Sequence, residues 1–380
     1  MESRFIRISE RKVSRRKYFA VVGVTAAAAV IGGAAYYLSK LGAPAPTSTP
    51  TAKPTITPTL KPTPPSTSPT LTPTPTPKPT LTPTPKPTST GGANAYTENG
   101  KSLVSIVRGN SDTEIEAMVR LAMDAIGGIG KIVSKGKTVV VKPAVLTSNK
   151  DCAPDPRVVA AVVKLAKEAG GAVIVAESSG SGSTAYNLSK VGITSAVEEA
   201  GAEVRDLQTE KEVQIKVPDG VALHEVETYP TIYNCDVLIS VPRLKRHSSS
   251  TVTISLKNMM GTIPKHEMGR FHGLNLSQCI ADLNTVIKPD LTVVDAIYAM
   301  ARTGPTGGDM VEMDTIMASG DPVAVDRIAA QELQELEQRI GVSSHLRFKA
   351  ADVKHINAAA DLGVGTSNFD NIRIIEEVLS

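Results

Sequence analysis

The sequence predicts an α/β fold: a mostly parallel layered sheet with helices on both faces and a small inserted subdomain. Three observations predict it. Short apolar runs, many of them β-branched, recur without polar interruption, as in strands covered on both faces. Amphipathic segments with helix start and stop signals lie between them. The two patterns alternate from residue 101 onward.

Leu103 to Val107 reads as a strand. Ser111 and Glu114 have capping-box spacing for a helix carrying Ile115, Met118, Val119 and Met123, which Gly127-Gly128 ends. Thr138 to Val141 is a β-branched strand. Asp155 is placed to cap the next helix, with Pro156 at its first position. That helix presents Val159, Val162, Val163 and Ala166 and stops at Gly170-Gly171. Val173 to Ala176 is a further strand, followed by a short helix over Thr194–Ala200. Val213–Tyr233 is less regular and reads as a hairpin or small subdomain. Asp236 to Val241 is a strand stopped by Pro242. Leu291–Val294 and Thr315–Ala318 are two more, with helices over Ser277–Ile287 and Pro322–Glu337. Phe271–Asn275 and Gly304–Gly308 read as loops.

Ahead of this globular part, 93–380, lie three dissimilar segments: a basic leader (1–17), an apolar segment (18–40) and a Thr/Pro-rich stalk (41–92). Ser14-Arg15-Arg16-Lys17-Tyr18-Phe19 resembles a twin-arginine export signal, and Phe19–Leu38 carries no charge over twenty residues. That length spans a bilayer. Pro46 after Ala43-Pro44-Ala45 disfavours cleavage. The expectation is a retained membrane anchor through 19–38, with the globular part on the extracytoplasmic side, or a secreted protein if the signal is cleaved. The partners expected are the twin-arginine or general export machinery and the membrane. Sixteen of the 26 prolines fall between Pro44 and Pro87, so the stalk favours polyproline II and cannot form a core.

The formal charge of +3 conceals an opposition. Residues 91–380 hold 29 basic and 36 acidic side chains, a net of −7. That balance excludes a nucleic-acid binder with basic character spread over its fold. Cys152, Cys235 and Cys279 are too few and scattered for a disulfide scaffold or a cysteine-only zinc site.

Polar residues follow the strands: Lys142, Glu177-Ser178, then Arg243, Lys245 and His247, then Asp295, then Ser319 and Asp321. Ligands of open α/β sheets bind beyond the carboxyl ends of strands. Pro242-Arg243-Leu244-Lys245-Arg246-His247 concentrates positive charge in an acidic domain and points to a small anionic ligand. Lys142, Arg243, Lys245, Asn258, Gly304 and Ser319 are the expected ligand-binding residues, Gly304 because its glycine-rich loop offers backbone N–H groups. Lys257, set among apolar neighbours, and His247 and His272 are the catalytic candidates. His247, His272, Asp295 and Asp321 are candidates for a divalent metal, the cofactor being otherwise unknown. His224, His345 and His355 lack suggestive neighbours and read as structural. Glu177 to Gly182 reads as a flexible loop, and Asp321 as a helix cap.

From about 101 to 337 these residues together resemble the domain of unknown function 362 family. The strings are Val-Lys-Pro at 141–143, Val-Pro-Arg-Leu-Lys-Arg-His at 241–247 and Ser-Leu-Lys-Asn-Met-Met-Gly at 255–261. His272, Leu-Thr-Val-Val-Asp at 291–295, Gly304-Pro305 and Ala-Ser-Gly-Asp-Pro-Val-Ala-Val-Asp at 318–326 complete them. The resemblance implies grouping of Lys142, Lys245, His247, Lys257, Asn258, His272, Asp295 and Asp321, and implies no activity. Ala144 stands where the family usually has Asn. The ferredoxin-like cysteine segment of many members is absent, so no iron–sulfur role follows. A remoter likeness, to the N-terminal part of nickel-pincer lactate racemases, implies only a site of lysines and histidines. The reading is therefore an exported protein with a cationic pocket for a small anion, whether a metal- or cofactor-dependent enzyme or a non-catalytic cell-surface binding protein.

Overall fold

The computed structural model describes residues 94–379. The leader, apolar segment and stalk expected at 1–92 lie outside the described residues. Within the described residues no helix is long and apolar enough to cross a membrane.

One large mixed sheet carries the domain. Its strands are β1 (Thr97–Glu98), β2 (Lys101–Arg108), β3 (Thr138–Pro143), β4 (Ala172–Glu177), β5 (Glu203–Asp206), β8 (Val237–Val241), β9 (Arg243–His247), β10 (Thr251–Thr253), β11 (Leu291–Ala301), β12 (Asp309–Ser319) and β13 (Ile372–Val378). The main order is β1-β2-β12-β11-β8-β3-β4-β5. From β11 to β5 every neighbour is parallel. β12 is antiparallel to both β11 and β2, as β1 is to β2 and β10 to β9. β6 (Val213–Lys216) and β7 (Glu225–Thr228) form a separate antiparallel pair, the hairpin expected in 213–233.

The helices are α1 (Ile115–Ala125), α2 (Pro156–Glu168), α3 (Thr184–Lys190), α4 (Ile193–Glu199), α5 (Pro230–Tyr233), α6 (Ser255–Asn258), α7 (Lys265–Gly273), α8 (Leu276–Val286), α9 (Pro322–Arg339) and α10 (Lys354–Asp361). They divide between two cores. Val139, Val141, Val237, Ile239 and Val293 pack with α1, α2 and α4 on one face. Val140, Leu238, Val294 and Met317 pack with α6 to α10 on the other. Alternation along each strand places successive residues on opposite faces, which is why β3 needs an unbroken valine run.

Local chemistry explains most boundaries. The Asp155 carboxylate accepts from the Arg157 N–H, and Pro156 starts α2, as expected. Asp321 caps α9, accepting from the N–H groups of Val323 and Ala324. The capping box at 111–114 does not form. Ser111 instead donates to Asp314, and the Glu114 carboxylate accepts from the Asn110 N–H. The chain at Phe271–Gly273 is the end of α7, not a loop, and buries Phe271 completely. β11 and β12 are much longer than their apolar runs, because each ladders with the other along most of its length. Pro242 ends β8, as expected. Its carbonyl accepts from the Asp295 N–H at 2.8 Å, and the chain resumes as β9.

Candidate functional site

The period of two along β9 sorts its charges. Arg243, Lys245 and His247 share one face, and Leu244 and Arg246 take the other. Arg246 stacks 4.5 Å over the Phe348 ring and lies 3.4 Å from Glu337. The dense basic stretch is thus split, leaving Arg243, Lys245 and His247 for the site.

Lys142, Ser240 and Thr292 occupy one cross-strand row of β3, β8 and β11. They face the core under α6, and α6 lies on them. Asn258 donates to Ser240 Oγ at 3.0 Å and to the Lys142 carbonyl at 2.9 Å. Ser255 and Thr292 share a hydroxyl–hydroxyl bond of 2.6 Å. Asp326, on α9, accepts from the N–H groups of Ser255 and Leu256 at 2.8 and 3.0 Å. Burial pushes the Asp326 carboxyl up to about 8, opposed by those two N–H bonds. The 255–258 segment is therefore pinned from the sheet below and from α9 beside it.

The innermost pair is Lys142 and Glu177, 1% exposed each. Lys142 Nζ donates to Glu177 at 2.8 Å, to Asn258 Oδ1 at 2.6 Å and to the Pro143 carbonyl at 2.9 Å. Glu177 also accepts from the N–H groups of Val145 and Ser178. Burial drives Lys142 down and Glu177 up, and each charge opposes the shift of the other. The start of the expected flexible loop at 177–182 is in fact fixed: Glu177, Ser178 and Ser179 are buried, and the Ser178 N–H donates to the Gly261 carbonyl. A Cβ at Gly261 would lie 2.1 Å from Glu177 Oε1 and 2.4 Å from Lys142 Nζ. Glycine there lets the backbone close over the pair.

Farther out the acids run short. Lys245 is buried, and its ammonium donates to the Cys152 carbonyl at 2.7 Å. Burial, then the charges of Arg243 and Lys142, lower it to about 8. Lys257 is half-buried, and its hydrogen-bond partner is Met260 Sδ at 3.0 Å, a weak acceptor. Burial, then Lys245 and Lys142, lower it to about 7. No carboxylate among the described residues forms an ion pair with Lys245 or Lys257.

Three histidines border Lys257. His247 is half-buried, and its Nδ1 accepts from the N–H groups of Ser249 and Ser250. Burial, then Lys257, Lys245, His272 and His355, lower it to about 3. His272 is exposed and is lowered by desolvation and then by Lys257. His355 is fully buried on α10 and is lowered to about 3 by burial, then by Lys257. Neither of its ring nitrogens completes a bond with a described residue, although the Ser250 backbone comes near. His355, read from sequence as structural, therefore belongs to this cluster. No local motif marks it.

Other expected residues go elsewhere. Asp295 accepts from the Asp155 N–H at 2.7 Å, the Ile297 N–H at 2.9 Å and Arg243 at 3.1 Å. It orients Arg243 and is not turned to the histidines. Arg243 keeps a buried Nε without a partner. Ser319 and Asp321 are set apart sideways along the sheet and are engaged elsewhere. Ser319 pairs with Thr292 at the start of β11, three strands from Lys142, and donates to the Leu103 carbonyl. Asp321 lies one step beyond, accepting also from Ser102 and the Thr366 N–H. The four-residue metal set is thus not assembled. Gly304 packs beside β9, where a Cβ would lie 2.0 Å from the Arg246 carbonyl, and it uses its carbonyl, not its N–H, on Ser248. Among the described residues, the trio close enough to share an ion is Glu227, His266 and Glu267. His266 already bonds Glu227 at 2.8 Å, and Glu267 pairs with Arg270. A surface hollow of about 440 Å³ near α8 and α10 shares no lining residue with the lysine–histidine cluster.

The family described as Domain of unknown function (DUF362) matches residues 139–331, which span β3 to α9 and hold every cluster residue except His355. A thylakoid-associated protein of Synechocystis is 29% identical over 245 residues, covering 61% of this chain and 74% of the relative. Among solved structures, the lactate racemase apoprotein of Thermoanaerobacterium thermosaccharolyticum aligns with a TM-score of 0.38 and 10% identity, over 75% of this chain and 85% of that one. A structural-genomics protein of Thermotoga maritima aligns with a TM-score of 0.36 and 12% identity, over 60% and 59%.

Proposed function

The chain belongs to the domain of unknown function (DUF362) family, and from that premise we propose that its globular part binds a small anionic molecule at the Lys142–Lys245–Lys257 cluster. One observation carries the reading. Lys142, Arg243, Lys245 and Lys257 are set against two carboxylates, Glu177 and Asp295, each already engaged with one of the cations. Like charges gathered in a poorly solvated site repel unless an anion joins them or they lose protons. The downward shifts of Lys245 and Lys257 are the second response; a bound anion supplies the first. Exposure rises from buried Lys245 through half-buried Lys257 and His247 to exposed His272, which supports entry from that side. His247 and His272 are then the groups nearest an incoming ligand for proton transfer.

The second reading is a non-catalytic cell-surface receptor using the same cations. In both, the domain stands on the extracytoplasmic side of a membrane, exported by the twin-arginine or general route and held through 19–38. The leader pattern supports this, and the name of the thylakoid-associated relative supports membrane association alone.

The test is a thermal-shift titration of the full chain with phosphate and pyruvate, alongside elemental analysis. A ligand at a hundred times its Kd stabilises by about 2.7 kcal/mol. Lys245→Ala and His247→Ala are expected to abolish the shift. If both variants bind and melt like the parent, the site assignment is wrong. Turnover of the bound anion separates enzyme from receptor.

A further inference from the structure

We propose that Lys257 is a nucleophilic amine that forms an imine with the carbonyl carbon of a small 2-oxo carboxylate. The proposal rests on the anion-site reading and adds to it the electrophile and the attacking atom.

The geometry separates Lys257 from the other two lysines. Lys142 spends its ammonium on three oxygen acceptors, and Lys245 donates to a carbonyl. Lys257 Nζ has a thioether as its partner, and no carboxylate of the described residues holds its proton. Burial beside two other cations favours the neutral amine, the nucleophilic form. The same cations would hold the ligand's carboxylate, leaving its adjacent carbonyl toward Lys257.

His247 supplies the complementary group. Its Nδ1 accepts two backbone N–H bonds, so in the neutral ring the proton sits on Nε2. A neutral imidazole with a fixed Nε2–H donates to a carbonyl oxygen without competing for the amine's proton. His355, buried beside Lys257 with the Ser250 backbone near its ring, adds a second polar group on that side.

The step balances without a further reactant. The neutral Lys257 amine attacks the carbonyl carbon, forming the C–N bond as the carbonyl π pair moves to oxygen. One proton from nitrogen passes to that oxygen to give a carbinolamine. The proton lost earlier by the Lys257 ammonium returns to the hydroxyl, the C–O bond breaks and water leaves. Carbonyl and ammonium have become a protonated imine and one water.

The experiment incubates the full chain with pyruvate and sodium cyanoborohydride, then maps adducts by peptide mass spectrometry. The expected result is one reduced pyruvyl adduct on Lys257, formed at least tenfold faster than on any other lysine. Acetone, which lacks the carboxylate, should label Lys257 at least tenfold more slowly than pyruvate does. Lys257→Met removes the amine without adding a charge and should lose the adduct; circular dichroism reports whether it folds, and mapping of the parent chain decides the matter if it does not. Pyruvate binding by thermal shift without an adduct at Lys257, or adducts spread evenly over lysines, overturns the imine and leaves the anion site standing. No thermal shift with pyruvate or phosphate overturns both.

Discussion

The inner and outer halves of the lysine cluster use the same residue type to opposite ends. In the inner half, Lys142 meets Glu177, Asn258 and a carbonyl, and Glu177 meets two backbone N–H groups. Every charge there has a partner, and the partners come from β3, β4 and the 255–261 segment. That half is architecture: it ties a covering segment to the sheet. In the outer half, Lys257 has a sulfur, His355 has no completed bond, and His247 has one ring nitrogen left over. Buried polar groups are normally satisfied, so a concentration of unsatisfied ones marks where a ligand would complete the set.

Breaking the inner half should have the largest effect. Lys142→Ala strands a buried Glu177 and is expected to cost about 3–5 kcal/mol of stability, read by urea unfolding. The double change Lys142→Met with Glu177→Leu should cost much less than the sum of the single changes, because no lone charge remains. Gly261→Ala should come next. Its methyl group collides with both members of the pair, and overpacking of this kind costs about 1–3 kcal/mol. An unchanged urea midpoint in either case would mean that the pair does not anchor the segment.

The outer half should answer to pH. His355 titrates at about 3 in the fold against 6.5 unfolded, so the unfolded chain binds the extra proton between those values. Its contribution to stability is full above about 6.5 and is lost as pH falls toward 3. His355→Leu should therefore flatten the acid limb of the stability curve, by at most about tenfold in the folding constant per pH unit. Lys257, lowered to about 7 from 10.5, is the same case moved to the alkaline range. The parent gains stability as pH rises from 7 to 10.5, so Lys257→Met should stabilise near pH 6 and lose that advantage by pH 10. Chemical denaturation at the two pH values reads both, and equal effects at each would show that Lys257 is not desolvated.

Much of this was legible beforehand. The valine run of β3, the Asp155-Pro156 start of α2 and the irregular hairpin at 213–233 carry local signals that the fold obeys. The capping box at 111–114 misled because Ser111 finds a tertiary partner in Asp314. Arg243, Lys245, His247, Lys257 and Asn258 were visible as charged or polar residues in apolar or acidic surroundings. Ser319 and Asp321 misled because strand order, which sets β12 three strands from β3, cannot be seen in a strand's own residues.

The sequence by itself determined the element types, the two-sided burial of the parallel strands and the charged stretch that opens β9. Hydrophobic periodicity and capping act over a few residues, so they can be read locally. Tertiary structure alone decided which charges were neutralised. The pairing of Lys142 with Glu177, the turning of Arg246 toward Glu337 and the arrival of His355 beside Lys257 all join distant segments. Coulomb interaction and desolvation depend on distance and burial, quantities that exist only once the chain has folded.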